Sequence, residues 1–499
     1  MKNKVQLITY VDRLSGGGLT ELQSLLDGPL NGVFGGAHLL PFFTPIDGAD
    51  AGFDPSDHTQ VDPRLGDWNN VRKLGERVEL MADLIVNHVS RDSPQFQDLL
   101  QHGLKSSYAS MFLTYDRVFP KGASEAELLS IYRPRPGLPF AVVTLRTGEP
   151  RLLWTTFTPQ QIDIDVQHPH GRAYLNAILD RFQTAGVKSI RLDAAGYAIK
   201  KAGTSCFMIP ETFAFIATLT EQARARGIEA LVEIHSHYLQ QVEIARHVDR
   251  VYDFALPPLV LHALFKSDAR FLKKWLSVSP RNAVTVLDTH DGIGVIDVGA
   301  DAADPQGRPG LLGPAEIDEM VETIHARSQG ESRKATGAAA SNLDLYQVNC
   351  TFYDALGCRD NEYLIARAIQ FFAPGIPQVY YVGLLAGRND MELLGRTSVG
   401  RDINRHYYTR DEVQTALARP VVKALLNLIR FRNAHTAFGG EFQIEASSDQ
   451  TLVLNWRQGS RWARLEVDFP VHAAVIEYSS RDGVRRHAVS RNSDQGLSI

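Results

Sequence analysis

Cysteine is scarce in this chain: Cys206, Cys350 and Cys358 are the three in 499 residues. An odd, widely spaced set offers neither a disulfide framework nor metal-ligand spacing, and it suits a reducing compartment. Long apolar runs are missing as well. No stretch reaches the ~18 uninterrupted apolar residues that a membrane span needs. The opening MKNKVQLITYVDRL lacks the long apolar core of a secretory leader before strand-like residues begin. A cytoplasmic protein with no membrane partner is the expectation. Neither sign of charge dominates: 52 basic and 57 acidic residues are interspersed, leaving a net charge of -5 and no electrostatic footprint for nucleic acid. Repeats and low-complexity tracts are absent too. What the chain does have is length and 44% hydrophobic residues, enough for one large core and a further domain.

Short apolar segments recur with helical patterns between them. Strand candidates are QLITYVD (6–12), AHLLPFF (37–43), ELMADLIVNH (79–88) and KSIRLD (188–193), then ALVEIH (230–235), RVYDFALP (250–257), AVTVLDTHD (283–291) and PQVYYVG (377–383). In GRAYLNAILDRFQTAG, Leu175, Ile178, Leu179 and Phe182 fall on one helical face and Gly186 supplies a stop. Pro210 opens a second such run, with Phe213, Ile216 and Leu219 on one side and Gly227 at its end. Eight strands alternating with helices predict an α/β fold, a (β/α)₈ TIM barrel. Two spans break the rhythm, one rich in Pro, Gly and aromatics, the other carrying GADAADPQGRPG and ATGAAASN. Past residue 436 short β-like runs take over, and the last residues, HAVSRNSDQGLSI, are expected to fray. The predicted division is barrel at 1–88, an insertion at 89–163, barrel at 164–291, a second insertion at 292–355, barrel at 356–435, and a small C-terminal β-sheet domain at 436–499.

In such a barrel the chemistry gathers at the C-terminal ends of the strands. Polar residues collect there: Asp83, Asn87 and His88; Arg191 and Asp193; Glu233 and His235; His290 and Asp291. Arg191 and Asp193 share one face of an apolar strand, where two charges are costly unless they pair or react. Three carboxylates converging on one mouth exceed what stability needs. Two carboxylates flanking a sugar bond are the minimum for glycosyl transfer.

DLIVNH (83–88), GVKSIRLDAA (186–195), the Glu in LVEIH (231–235) and LDTHD (287–291) resemble the four consensus segments of the alpha-amylase clan, glycoside hydrolase family 13. Thr289 stands where many members carry Asn. DGADAGFDPSDH (47–58), YRPRPGLPF (132–140), SNLDLYQVN (341–349) and GRDINRHYY (400–408) extend the likeness to the sucrose-cleaving phosphorylases of that clan. It spans the barrel and both insertions and is weaker in the C-terminal domain. The resemblance implies retaining glucosyl transfer, with Asp193 as nucleophile, Glu233 as acid/base and Asp291 as the carboxylate that stabilises the transition state. On physical grounds Arg191 would favour an ionised Asp193, and crowding by carboxylates would raise Glu233.

The resemblance also supplies a pocket. His88 and His290 would bind glucosyl hydroxyls, Asp50 and Arg401 would pair across the floor, and Phe53, Phe157 and Gln161 would form walls. Arg135, Tyr346 and the backbone at Leu343 would hold phosphate, while Tyr197, His235, Asp344 and Gln347 would face the fructosyl half. The expected substrates are sucrose and inorganic phosphate, giving alpha-glucose 1-phosphate and fructose. The alternatives are a phosphorylase for sucrose 6'-phosphate, glucosylglycerol or glucosylglycerate, and a sucrose hydrolase or transglucosidase. No organic cofactor is implied. Asn87, linked to metal in amylases, is read as support for the site, and no metal site is expected. A homodimer is the family's expectation for assembly.

Overall fold

The structure is a computed structural model that describes residues 1–133, 137–301, 307–336 and 347–491. Eight parallel strands close into a barrel: β1 (Gln6–Thr9), β2 (Gly36–Leu39), β3 (Glu79–Ile85), β4 (Ser189–Asp193), β5 (Glu229–Val232), β6 (Arg250–Asp253), β7 (Ala283–Thr285) and β8 (Ile376–Tyr380). Each strand pairs with its neighbours in sequence, and β8 returns to β1 with Gln378 opposite Gln6. All eight lie within or beside the predicted segments, generally shorter by a few residues. The difference has a reason: the polar ends, such as VEIH and LDTHD, leave the ladder and turn over the mouth. The register of β3 against β4 places Arg191 beside Asp83, and the site grows from that pairing.

The helix Pro169–Ala185 buries Leu175, Ile178, Leu179 and Phe182, as their spacing requires. It ends where Gly186 takes a left-handed φ of 78°, with Val187 N–H reaching back to the Phe182 carbonyl. The helix Pro210–Arg224 closes the same way, Gly227 at φ 72° and Ile228 N–H on the Ala223 carbonyl.

The span after β3 is more ordered than its composition suggests. His88–Ser90 pairs antiparallel with Gln161–Asp163, and a hairpin joins Phe140–Thr144 to Pro150–Trp154. In the second insertion Ile293–Gly294 pairs with Gln347–Val348, and helices run over Pro314–Arg327 and Glu331–Thr336. Thus each insertion is stitched to a barrel strand end by a two-stranded ribbon. Most of ATGAAASN and part of GADAADPQGRPG lie outside the described residues.

A five-stranded antiparallel sheet spans residues 441–488. Its inner face joins the barrel's hydrophobic core through Leu454, Trp456, Leu465 and Ile476, and Trp456 donates its indole N–H to the Phe372 carbonyl at 2.7 Å. His487 and Ala488 belong to its last strand rather than to a frayed tail. Pairing with Val475 and Ile476 holds them; residues 492–499 lie outside the described set.

Candidate active site

Arg191 is the node of the site. Its side chain is only 3% exposed, and its guanidinium reaches Asp83 at 2.6 Å, Asp193 at 2.9 Å and Glu233 at 2.9 Å. One cation thereby fixes two pocket carboxylates from beneath while Asp83 anchors it. Burial alone would raise Asp83, but the charges of His38 and Arg191 win and hold it at about 2. His38 Nε2 sits 3.0 Å from the Asp83 carboxylate and Tyr252 reaches Gln378 behind it. Asp193 behaves otherwise. Burial pushes it well above the ordinary carboxylate range, with Arg191 opposing and Glu233, Asp83 and Asp291 reinforcing. Arg191 favours the ionised form as expected, but desolvation and three like charges outweigh one guanidinium. Ala194, just after Asp193, adopts a left-handed φ of 55°, a strained non-glycine turn at the strand end, and its N–H points at Glu233.

Above this node lies a pocket lined by Asp50, Phe53, His88, Phe157, Gln161, Asp193, Tyr197, Glu233, His235, His290, Asp291, Gln347 and Arg401, among others. These thirteen include every described residue that the sequence nominates except Arg191, which lies under them. Asp50 is presented by consecutive positive φ angles at Asp50, Ala51 and Gly52. Arg401 approaches Asp50 at 3.4 Å, so the predicted pairing across the floor is present, but it lies closer to Asp291, at 2.8 Å. Burial would raise Asp291; the guanidinium charges of Arg401 and Arg405 instead keep it strongly ionised.

Two neutral histidines line the walls. Burial drives His290 down to about 3 and lowers His88 as well. Phe53 stacks on His290 with centroids 4.8 Å apart. The Phe53 carbonyl accepts from His88 Nε2 at 2.9 Å and from Gln161 at 3.3 Å. On the opposite side Tyr197 packs against Phe157 and Phe207, and Gln347 Oε1 accepts from Gly292 N–H at 3.3 Å.

Glu233, His235 and Asp291 each bring a possible ligand atom within 4.8 Å of the others. With Arg191 on Glu233 and Arg401 on Asp291, the cluster is already charge-compensated by guanidinium groups, a poor setting for a cation. Asn87, the residue linked to metal in amylases, has its oxygen taken by the Lys200 ammonium at 2.7 Å.

The chain is 66% identical over 479 residues to a sucrose phosphorylase of Agrobacterium vitis, a match covering 96% of this chain and 98% of that protein. A sucrose phosphorylase of Bifidobacterium adolescentis is 54% identical over 494 residues, covering 97% and 98%. The chain belongs to the sucrose phosphorylase family. Residues 33–248 match the catalytic-domain model of alpha-amylase. The crystal structure of a sucrose 6F-phosphate phosphorylase from Thermoanaerobacter thermosaccharolyticum superposes with a TM-score of 0.90 at 40% identity, covering 98% of each chain.

Arg135, Leu343, Asp344 and Tyr346, nominated for phosphate and for fructose, lie outside the described residues. Four residues important to the geometry of this sucrose phosphorylase family site escaped assignment to a role. Asp83 stood among the polar strand ends, yet its place under Arg191 follows only from register. Arg405, 1% exposed, donates to the His290 carbonyl at 2.9 Å and lies 3.5 Å from Asp50. Lys200, at 1%, sits 2.9 Å from Asp163. Asp297 meets His235 Nδ1 at 3.0 Å. The sequence signal for Arg405 was available in GRDINRHYY, where two arginines stand four apart; Lys200 and Asp297 carry none beyond being charges near motif residues.

Proposed function

We propose that this chain is a retaining glucosyl transferase that converts sucrose and phosphate to alpha-glucose 1-phosphate and fructose. The observation that carries the reading is a pocket in which three carboxylates, Asp193, Glu233 and Asp291, meet a floor of Asp50, Arg401 and Arg405, with Arg401 2.8 Å from Asp291. A floor closed by paired charges suits a single hexose ring. The family membership supports phosphate over water as acceptor.

In the first step ionised Asp193 attacks the anomeric carbon of the glucosyl unit while Glu233 gives its proton to the departing fructosyl oxygen. This step requires the proton on Glu233 and the charge on Asp193, and Arg191, touching both carboxylates, keeps the two within one hydrogen-bonded frame. Asp291 stays ionised throughout and stabilises the positive charge that builds on the ring. His88 and His290 are neutral, so they bind hydroxyls without adding charge beside that oxocarbenium-like centre. In the second step phosphate attacks the glucosyl-enzyme from the side fructose left, Glu233 accepts its proton, and Asp193 is released. Two inversions give net retention.

Arg135, Tyr346 and the Leu343 backbone hold the phosphate in this proposal, and Asp344 and Gln347 serve the fructosyl half from the second insertion. Catalysis needs no further cofactor. The enzyme acts on small molecules in the cytoplasm; its three cysteines are free thiols. Among the described residues no helix is long and apolar enough to cross a membrane.

The test is incubation of purified protein with sucrose, with and without phosphate, and identification of the sugars. Phosphate-dependent alpha-glucose 1-phosphate is the expected product. Equal glucose release in both tubes would make the chain a hydrolase. Preference for sucrose 6'-phosphate over sucrose as donor would move it to the activity of the 40% identical relative.

A further inference from the structure

Asp297 is fully buried in the short turn Ile296–Val298 beyond β7, and the reaction as derived so far does not use it. One carboxylate oxygen lies 3.0 Å from His235 Nδ1. The other accepts from the Ser236 N–H at 3.2 Å and from the Gln241 amide at 3.0 Å. With both oxygens engaged, the carboxylate cannot rotate, and His235 must carry its hydrogen on Nδ1 to meet it. Phe254 stacks on the imidazole at 3.9 Å and 15°, fixing the ring plane. Nε2 is thereby turned toward Glu233, 3.8 Å from its Oε1. The backbone is cut to fit: a Cβ on Gly294 would lie 2.4 Å from Asp297 Oδ2 and 3.3 Å from His235 Nδ1.

We propose that Asp297 is a positioning residue for the acceptor half-reaction, holding His235 so that an imidazolium Nε2–H meets the incoming phosphate beside Glu233. The proposal rests on the phosphorolytic reading above and adds to it a residue that acts through another. Its physical need is clear. Asp50, Asp193, Glu233 and Asp291 all line the pocket, and an anion entering must be offset by positive charge. Arg191 is committed to carboxylates and Arg401 to Asp50 and Asp291, so a charged His235 shares with Arg135 the task of offsetting the anion. The groups acting on His235 are Asp297 from the turn, Glu233 from the end of β5 and Asp291 from beyond β7, and together they raise it against its burial. Asp253 on β6, pushed up to about 7 by burial, is close enough to feel Asp297.

Asp297→Asn is the direct test. The Ser236 N–H requires the amide oxygen on its side, which turns the NH₂ toward His235 Nδ1 and disfavours the charged ring. Wild type is assayed in parallel. If it forms no glucose 1-phosphate from sucrose and phosphate, the functional reading fails, which is a different result from failure of this one. The expected effect is a rise of about tenfold in phosphate KM, with pre-steady-state fluoride release from alpha-glucosyl fluoride nearly unchanged. The phosphate KM of wild type should climb as pH rises through the titration of His235. Loss of the Asp297 charge should move that climb to lower pH. Free phosphate titrates identically in both assays, so the difference between profiles belongs to the protein. His235→Gln combined with Asp297→Asn should be no worse than His235→Gln alone.

Gly294→Ala keeps the charge and pries the pair apart, so it should give the same rise in phosphate KM even if Asp297→Asn fails to fold. Equal losses in fluoride release and phosphate turnover, or multiplicative losses in the double variant, would reduce Asp297 to a structural residue and overturn the proposal.

Discussion

Lys200→Met tests how an internal ammonium couples the first insertion to the pocket. The Lys200 side chain is 1% exposed and Asp163 is fully buried; their nitrogen and oxygen lie 2.9 Å apart. The same ammonium donates to Asn87 Oδ1 at 2.7 Å and to the Tyr197 carbonyl. It thus ties together three segments that carry pocket residues: Asn87 precedes His88, Asp163 closes the ribbon containing Gln161, and Tyr197 lines the pocket. Methionine matches the volume but leaves Asp163, among the described residues, with the Thr156 N–H and hydroxyl as its donors. Breaking a buried pair by removing one partner costs about 3–5 kcal/mol. With an unfolding entropy of ~2.1 cal/mol/K per residue, the chain gains roughly 1 kcal/mol/K on unfolding. The melting temperature by calorimetry should therefore fall by about 3–5 °C. Activity on sucrose should fall at least about tenfold, because a shift of His88 and Tyr197 of even ~1 Å spoils positioning. The double variant Lys200→Met/Asp163→Asn removes the stranded charge and should recover much of the lost melting temperature. A single variant as stable and active as wild type, or a double variant no better than the single, would refute the reasoning.

Further outcomes follow from the same geometry. Asp193→Asn removes the attacking charge while keeping shape, so kcat on sucrose should drop about 10⁴-fold or more; a loss below about tenfold would reassign the nucleophile. Glu233→Gln should cripple turnover of sucrose but do much less harm with alpha-glucosyl fluoride, whose leaving group departs without a proton. Equal damage with both donors would mean that Glu233 is not the acid. Asp83 is held at about 2 in the folded protein, below its unfolded value of about 3.9. Its stabilisation is fully present above the unfolded value and is lost as pH falls through about 4 to 2, on the order of 2 kcal/mol in all. Asp83→Asn should flatten that part of the acid-unfolding curve, and an unchanged curve would remove Asp83 from the account.

How much of this was legible in the sequence depends on distance along the chain. The eight strands, the helical faces with their glycine stops, and six pocket residues (His88, Asp193, Glu233, His235, His290 and Asp291) were legible because each sits within a few residues of a strand end, where the barrel's geometry dictates its position. The other seven, Asp50, Phe53, Phe157, Gln161, Tyr197, Gln347 and Arg401, came from the family resemblance. Asp83 and Arg191 are 108 residues apart, and only the register of β3 on β4 brings them to 2.6 Å. Lys200 and Asp297 belong to turns beyond the strand ends, where neither a 2-residue nor a 3.6-residue period carries information. The upward shift of Asp193 was invisible for a related reason. Its sign is decided by total burial, and burial is a property of the closed pocket rather than of the motif.

Arg401 and Arg405 make the same point with one helical turn between them. The resemblance placed Arg401 on the pocket floor, and the structure gives that floor two guanidinium groups of different character. Arg401 has a side chain 26% exposed and reaches across to Asp50 and Asp291. Arg405, at 1%, is pinned by the His290 carbonyl and faces the same two carboxylates from behind at 3.5 and 3.9 Å. A partly exposed arginine can yield to a sugar hydroxyl at small cost, since water screens and replaces what it gives up. A buried one cannot, because any carboxylate or carbonyl it left would be stranded. Arg405 thus holds Asp50 and Asp291 in charge and place independently of Arg401. Both arginines stand in the one motif GRDINRHYY, but which of them is exposed to the pocket and which is buried beneath it is read only from the fold.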